Sequence, residues 1–277
     1  MLISVVVATY NRPDALEAVL RSLAKQNDNN FEVIVADDGS RPDTAAVVER
    51  TQRAFPVPLL HVWQPDTGFR LAAVRNRATA RASGEYLIYL DGDCIVARRF
   101  VCAHRALAEP GWCVAGGRIL LSERFTTVVL ANQIAVEDWN IARTIVGTAR
   151  GKINRAFAAM WLPLGPLRKL RGRRWQRLRG CNFSAYRADV ERVNGFDECF
   201  QGWGFEDSDF AARLIASGVR LKNARLATNV YHLWHRESDR AHQRENWERL
   251  QSRILSGATN AQVGLDRYGS KERSDHA

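Results

Sequence analysis

No apolar run in the 277 residues approaches the ~18–20 needed to cross a bilayer as a helix. A basic leader region and a small-residue cleavage site are missing too, so Met1-Leu2-Ile3-Ser4 reads as the start of a buried strand. The expectation is a chain that folds from its first residue and stays in the cytosol. Cysteine is sparse. Cys94, Cys102, Cys113, Cys181 and Cys199 are an odd set without CxxC spacing, which argues against a disulfide framework or a zinc knuckle and for buried free thiols. Acid is absent from one long stretch. Between Asp138 and Asp189 there is none, against twelve cations: Arg143, Arg150, Lys152, Arg155, Arg168, Lys169, Arg171, Arg173, Arg174, Arg177, Arg179 and Arg187. Subtracting those twelve from the net +10 leaves −2 for the remainder, so the basicity is a local feature. Internal repeats, low-complexity linkers and helix-turn-helix, zinc-finger or RNA-recognition signatures are also lacking, which leaves nucleic-acid binding resting on charge alone.

What is present has the balance of a folded protein, with 46% hydrophobic and 25% charged residues. The length suits one large domain or a domain with an appended lobe. Residues 2–9 are a continuous apolar run, as in a strand buried on both faces. Asn11-Arg12-Pro13-Asp14 interrupts it, and Pro13 suits the first turn of a helix, which Ala15, Val19, Leu20 and Leu23 continue. Strand patterns at 31–36, 59–64 and 86–90 alternate with helical ones at 43–54 and 72–83. The chain is therefore expected to be α/β, with a mainly parallel central sheet flanked by helices. Beyond it, helices are expected over 98–109, 188–194, 206–217 and 239–256, strands within 112–121, 181–186 and 221–231, and a frayed end from about residue 257.

Ligands of such sheets bind outside the carboxyl ends of the strands. Thr9-Tyr10-Asn11, Asp37-Asp38 and Asp91/Asp93 all fall at those ends. In Asp91-Gly92-Asp93, glycine lets two carboxylates approach one ligand, and hard oxygens suit Mg2+ or Mn2+ on a diphosphate; an ordinary acidic turn has the same composition. Asp37-Asp38-Gly39-Ser40 is either a turn or an acceptor of hydrogen bonds from a base or ribose. Gly202-Trp203-Gly204-Phe205-Glu206-Asp207-Ser208-Asp209 presents an aromatic face suited to a sugar ring and then opens a helix on carboxylates, where the dipole stabilises their charge. His232 and His235 are candidates to complete a metal site begun by Asp93, with His235 preferred, whereas His61 and His104 read as structural.

These pieces carry a resemblance. Residues 5–12 (VVVATYNR), Asp37-Asp38-Gly39-Ser40, Arg75-Asn76-Arg77-Ala78 and residues 84–93 (GEYLIYLDGD) resemble, in order and spacing, glycosyltransferase family 2, which has the GT-A nucleotide-sugar fold. Residues 180–215 resemble the C-terminal part of β-1,4-galactosyltransferases and bacterial chondroitin-type polymerases. The likeness covers 1–125 and 180–236 and omits the basic segment. It implies a nucleotide-sugar-binding half over 1–125, a basic amphipathic insertion over 126–180, an acceptor-binding and catalytic half over 181–256 and a frayed tail over 257–277. It also implies roles. Thr9, Tyr10, Asn11, Asp37 and Asp38 would line the nucleotide pocket, with Arg70 and Arg75 near the diphosphate. Asp93 would ligate Mn2+ or Mg2+, supported by Asp91 and closed by His235 and His232, where galactosyltransferases carry methionine in place of His232. Trp203 and Glu206 would hold the acceptor and Asp207 would be the base. Those enzymes have glycine where this chain has Phe205.

The resulting expectation is a metal-dependent hexosyltransferase that inverts the anomeric centre in one displacement, moving sugar from a UDP-sugar to a saccharide. UDP enters through the resemblance alone. A nucleotidyltransferase of sugar-nucleotide metabolism would need a glycine-rich, lysine-bearing phosphate loop, which residues 6–13 are not. A non-catalytic nucleotide-sugar-binding protein remains an alternative. For the basic segment, a solvated face competes with attachment to an anionic membrane surface or a phosphorylated glycolipid, as at the inner membrane of a bacterium. There Trp161, Leu162, Leu164, Leu167 and Trp175 interleave with arginine in the manner of an interfacial helix. A lipopolysaccharide-core or capsule acceptor would follow.

Overall fold

The structure is a computed structural model and describes residues 1–156, 160–236 and 239–269. Four βα-type strands open the chain. β1 (Ile3–Thr9) leads through α1 (Pro13–Leu23) to β2 (Phe31–Asp37), then through α2 (Pro42–Gln52) to β3 (Leu59–Trp63), and through α3 (Leu71–Arg81) to β4 (Tyr86–Asp91). β1 and β2 are buried at every position, which is why they read as unbroken apolar runs. α1 starts on Pro13 and turns Leu16 and Leu20 wholly inward, each contributing ~1.5–3 kcal/mol by burial.

A short strand β5 (Cys94–Val96) and α4 (Phe100–Leu107) follow, then β6 (Trp112–Ala115), β7 (Arg118–Leu120), α5 (Glu123–Ala131) and α6 (Ile141–Ala149). The remainder is β8 (Asn182–Tyr186), α7 (Arg187–Arg192), α8 (Glu206–Ala216), β9 (Arg220–Asn223), β10 (Val230–His232) and α9 (Gln243–Leu255). Seven strands form one sheet in the order β3-β2-β1-β4-β8-β6-β9, in which β8 alone runs against its neighbours. Three form a second sheet in the order β5-β10-β7. One core lies under α1, α2, α4 and α5, and the other under α3, α7 and α8, on the opposite face of the large sheet.

Register brings the site together. Thr9 pairs with Asp37 and Ala8 with Asp91, so β1, β2 and β4 end level at their carboxyl edge. β8 runs the other way and starts there, with Leu90 opposite Asn182, which sets Gly180 and Cys181 beside Asp91. In the small sheet His232 pairs with Cys94, and Leu233 N donates to Asp93 O at 2.9 Å.

Two sequence expectations change. The tail does not fray over 257–269: Ala261 N and Leu265 N donate to Val193 O and Asn194 O, and Gln262 N donates to the Asp197 carboxylate at 2.9 Å. Its last residues, 270–277, lie outside the described residues. The stretch around Trp161–Trp175 is not an amphipathic helix. Gly165, Pro163 and Pro166 confine it to 3-10 turns at Gly165–Lys169 and Trp175–Arg177. Within it Arg168 is buried and donates to the carbonyls of Asn223, Arg225 and Leu162, so part of the basic charge serves the fold. All five cysteines are free, and Cys94, Cys113 and Cys181 are buried.

Candidate active site

Outside the carboxyl edge of the large sheet opens a cleft of ≈ 1240 Å3. Twelve of the fourteen residues singled out from sequence line it: Thr9, Tyr10, Asn11, Asp38, Arg75 and Asp91 from the first half, with Asp93 beyond β4, and Trp203, Glu206, Asp207, His232 and His235 from the second. Asp37 and Arg70 are the exceptions. Asp37 is fully buried and turned away, accepting from Ser40 N at 2.8 Å and facing His61 Nε2 at 3.0 Å. Arg70 contributes its backbone, donating from N to Asp38 Oδ2 at 2.7 Å. Asp38 also accepts from Gln64 Nε2, and burial still lifts its carboxyl above the usual range. The Tyr10 hydroxyl donates to Asp66, while Asn11 sits in the left-handed region at φ 49° and ties its loop to Ser40 and Arg41. Thr9 Oγ1 is buried at the cleft edge without a protein partner.

Gly92 has a tighter reason than a sharp turn. Its N–H donates to Ala8 O at 2.6 Å, and a Cβ there would stand 2.8 Å from the same oxygen. The close approach sets Asp91 and Asp93 at the end of β1. Asp93 then faces two imidazoles: Oδ1 is 3.6 Å from His232 Nε2 and Oδ2 is 3.4 Å from His235 Nε2. His235 Nδ1 lies 2.8 Å from Arg236 O, which as an acceptor claims the Nδ1 hydrogen and leaves the Nε2 lone pair free to ligate. One carboxylate with two imidazole nitrogens fits a divalent cation. Cys94 Sγ lies with Asp93 and His232 in the same cluster and donates to Asp93 at 3.5 Å, and burial pushes its thiol well above the ordinary range.

Across the cleft, Gly202 and Gly204 both take positive φ and bend the loop that exposes Trp203. Phe205, at φ 72°, holds the left-handed position a glycine would occupy without strain, and its ring lies 5.2 Å from Trp247. α8 opens on Glu206 and Asp207. Asp207 Oδ2 accepts from Gly180 N at 2.7 Å, and Oδ1 accepts from Ser208 Oγ. Glu206 is buried; burial first, and then the charge of Asp207, push its carboxyl up to about 7 against the pull of Arg75. Arg75 is buried rather than open to a diphosphate, with Nη2 donating to Asp91 Oδ1 and to Gly180 O.

Sequence reasoning missed Gly180, which anchors both the base candidate and Arg75, although it lies in the stretch whose likeness was noted. Arg118, Arg179 and Arg236 also line the cleft, with no signal beyond their charge. His104 is structural as expected: its ring faces Ser184 Oγ at 2.7 Å and Asn182 Oδ1 at 3.2 Å, and burial lowers it to about 3.

Known proteins resemble this chain in sequence and fold. The family model described as glycosyl transferase family 2 matches residues 4–162, more than half of the chain, and one described as the N-terminal domain of galactosyltransferase matches 169–236. A validoxylamine A glucosyltransferase of Streptomyces hygroscopicus subsp. jinggangensis is 32% identical over 237 residues, covering 83% of this chain and 55% of its own. Chondroitin synthase of Pasteurella multocida is 28% identical over 243 residues, 78% of this chain and 23% of its own. The chain thus spans about half the length of the first of these relatives and less of the second. Among solved structures, GalNAc-T7 with UDP, GalNAc and Mn2+ superposes with a TM-score of 0.64 at 17% identity, over 91% of this chain and 48% of that one. The chain belongs to glycosyl transferase family 2 and has the GT-A fold.

Proposed function

We propose that the chain moves a hexose, with inversion, from a UDP-sugar to a hydroxyl of a saccharide acceptor, and that this acceptor is a lipid-linked surface glycan such as a lipopolysaccharide core or capsule chain. The observation that carries the reading is Asp93, held between His232 and His235, facing the Glu206-Asp207 pair across one cleft. UDP and Mn2+ in the GalNAc-T7 structure support a UDP-sugar donor and a divalent cation, Mn2+ or Mg2+, and the chondroitin synthase relative supports a glycan acceptor.

Asp207 is half-buried in the first turn of α8. Gly180 N and Ser208 Oγ occupy one lone pair on each oxygen and leave others to take a proton. As the acceptor oxygen bonds to the anomeric carbon, the bond from that carbon to the β-phosphate oxygen breaks, its electron pair leaves with UDP, and the hydroxyl proton passes to Asp207. A divalent cation held by Asp93, His232 and His235 would supply Lewis-acid neutralisation of the diphosphate. Glu206, titrating near 7, retains part of its proton at neutral pH and donates a hydrogen bond to the acceptor sugar over the Trp203 face.

The test is a thermal-shift panel of nucleotide sugars with and without Mn2+, followed by turnover of the wild type and Asp207→Asn. Metal-dependent stabilisation by a UDP-sugar is expected, with Asp207→Asn keeping it while turnover falls by about 10²-fold or more. Stabilisation without transfer or donor hydrolysis would leave the non-catalytic binding protein standing. A response to no nucleotide sugar would sink the reading.

A further inference from the structure

α6 turns the wrong residues inward. At 3.6 residues per turn, Thr144, Gly147 and Thr148 share one side, and that is the side the fold covers. Trp139 lies so close over Gly147 that a Cβ there would meet its ring at 2.7 Å. The opposite side carries Ile141, Ala142, Ile145, Val146 and Ala149, all exposed, with Ile141 at 40%, Ile145 at 45% and Val146 at 48%. A surface helix of a globular protein has the reverse arrangement. Arg143 and Arg150 follow next around the helix and edge the apolar stripe. Among the described residues neither has an acidic partner.

We propose that α6 docks on an anionic phospholipid surface, with Ile141, Ile145 and Val146 seated at the boundary of headgroups and acyl chains and Arg143 and Arg150 on lipid phosphates. Charge selects this occupant. The 50 residues from Trp139 to Ala188 contain no acid, and the chain carries +10 overall, so a second copy would meet like charge with like. Size points the same way: nine residues of helix are ~14 Å long, too short for the ~800 Å2 a side of a stable protein interface. From α6 the chain returns directly to the cleft. Ser122 N donates to Lys152 O and Asn154 N to Leu120 O, and Leu120 and Leu121 line its wall. A glycan on a lipid anchor would then be presented beside the cleft that holds Asp207. The docking itself is independent of the transfer reaction.

This relocates the contact suggested by sequence. Trp161 lies 5.1 Å from the Arg99 guanidinium, while Leu167 and Leu170 project from 3-10 structure at 62% and 59% exposure and serve as the comparison patch.

The experiment is co-sedimentation of the full chain with vesicles of phosphatidylcholine alone or of equal parts phosphatidylcholine and phosphatidylglycerol. The wild type is expected to favour the anionic vesicles by about tenfold or more. The triple change Ile141→Ser, Ile145→Ser and Val146→Ser should lower that binding about tenfold, Arg143→Gln with Arg150→Gln should erase the preference for anionic lipid, and Leu167→Ser with Leu170→Ser should leave binding within about twofold. Unfolding temperature and stabilisation by UDP-sugar, unchanged in the triple variant, show that the fold and cleft are intact. Equal binding to both vesicles, or full binding by the triple variant, overturns the proposal. So does dimerisation of the wild type without lipid that the triple variant abolishes. Loss of donor binding in the wild type would strike the transferase reading and leave this one in place.

Discussion

Arg75 holds Asp91 at 2.9 Å through the same Nη2 that donates to Gly180 O, so one buried nitrogen ties the Asp91-Gly92-Asp93 turn to the loop that anchors Asp207. Its other terminal nitrogen lies 3.8 Å from Glu206. Two carboxylates are thereby kept against a single cation, and Asp207 is reached through Gly180. Arg75→Gln removes that cation and leaves the carboxylates facing one another. Urea unfolding should show a loss of ~1–3 kcal/mol, with Asp91 partly screened by its exposure to the cleft. Turnover should fall more than donor affinity; a variant with unchanged turnover would remove Arg75 from the site.

Gly180 offers a finer test of the base. A Cβ at this position would stand 3.1 Å from Asp207 Oδ2, so Gly180→Ala should push the carboxylate by a few tenths of an ångström without touching the donor. The expected result is a turnover loss of about tenfold at unchanged donor KM. Equal loss in both constants would place the effect in binding instead.

His235→Ala should raise the Mn2+ concentration needed for half-maximal stabilisation by about 10–100-fold or more, with the fold intact because the ring is half exposed. His232→Ala should weaken Mn2+ likewise and also cost stability, since that residue is buried in β10. Isothermal titration of Mn2+ into each variant reads both. Unchanged affinity in the two together would empty the proposed seat.

Glu206 links pH to stability. Its folded value, about 7, lies above the ordinary 4.5, so folding carries no penalty from it below about 4.5, a growing one between, and the full one above about 7. Glu206→Gln should therefore stabilise the metal-free protein at pH 8, by on the order of 1–3 kcal/mol, and have almost no effect at pH 4. Denaturant melts at the two pH values check the sign. A gain of equal size at both would mean that the carboxyl titrates normally.

Much of this was legible beforehand because parallel strands buried on both faces announce themselves as unbroken apolar runs, and their ends coincide with polar clusters. Asp38 and Asp37 show where legibility stops. They are adjacent and chemically equal, yet only His61 on the neighbouring strand and Ser40 in the turn decide that Asp37 faces inward. Arg70 acts through its backbone, which no side-chain pattern encodes. Helical spacing in residues 141–149 reveals a stripe but not which side the fold covers, so exposed isoleucines look like core. The order in residues 261–266 comes from backbone partners about 70 positions away, beyond any local signal.

The proposed cation seat straddles a seam in the sequence. Asp93 comes from the stretch matched as glycosyl transferase family 2, whereas both imidazoles and Asp207 come from the later one. That later stretch also furnishes β8, which lies between β4 and β6. Excising it would remove β8, β9 and β10 together, baring β4, β5, β6 and β7, and would leave Asp93 without either imidazole. A graft of another relative's later stretch onto residues 4–162 would have to bring its own imidazoles for the proposed seat, because neither stretch alone supplies all three candidate ligands.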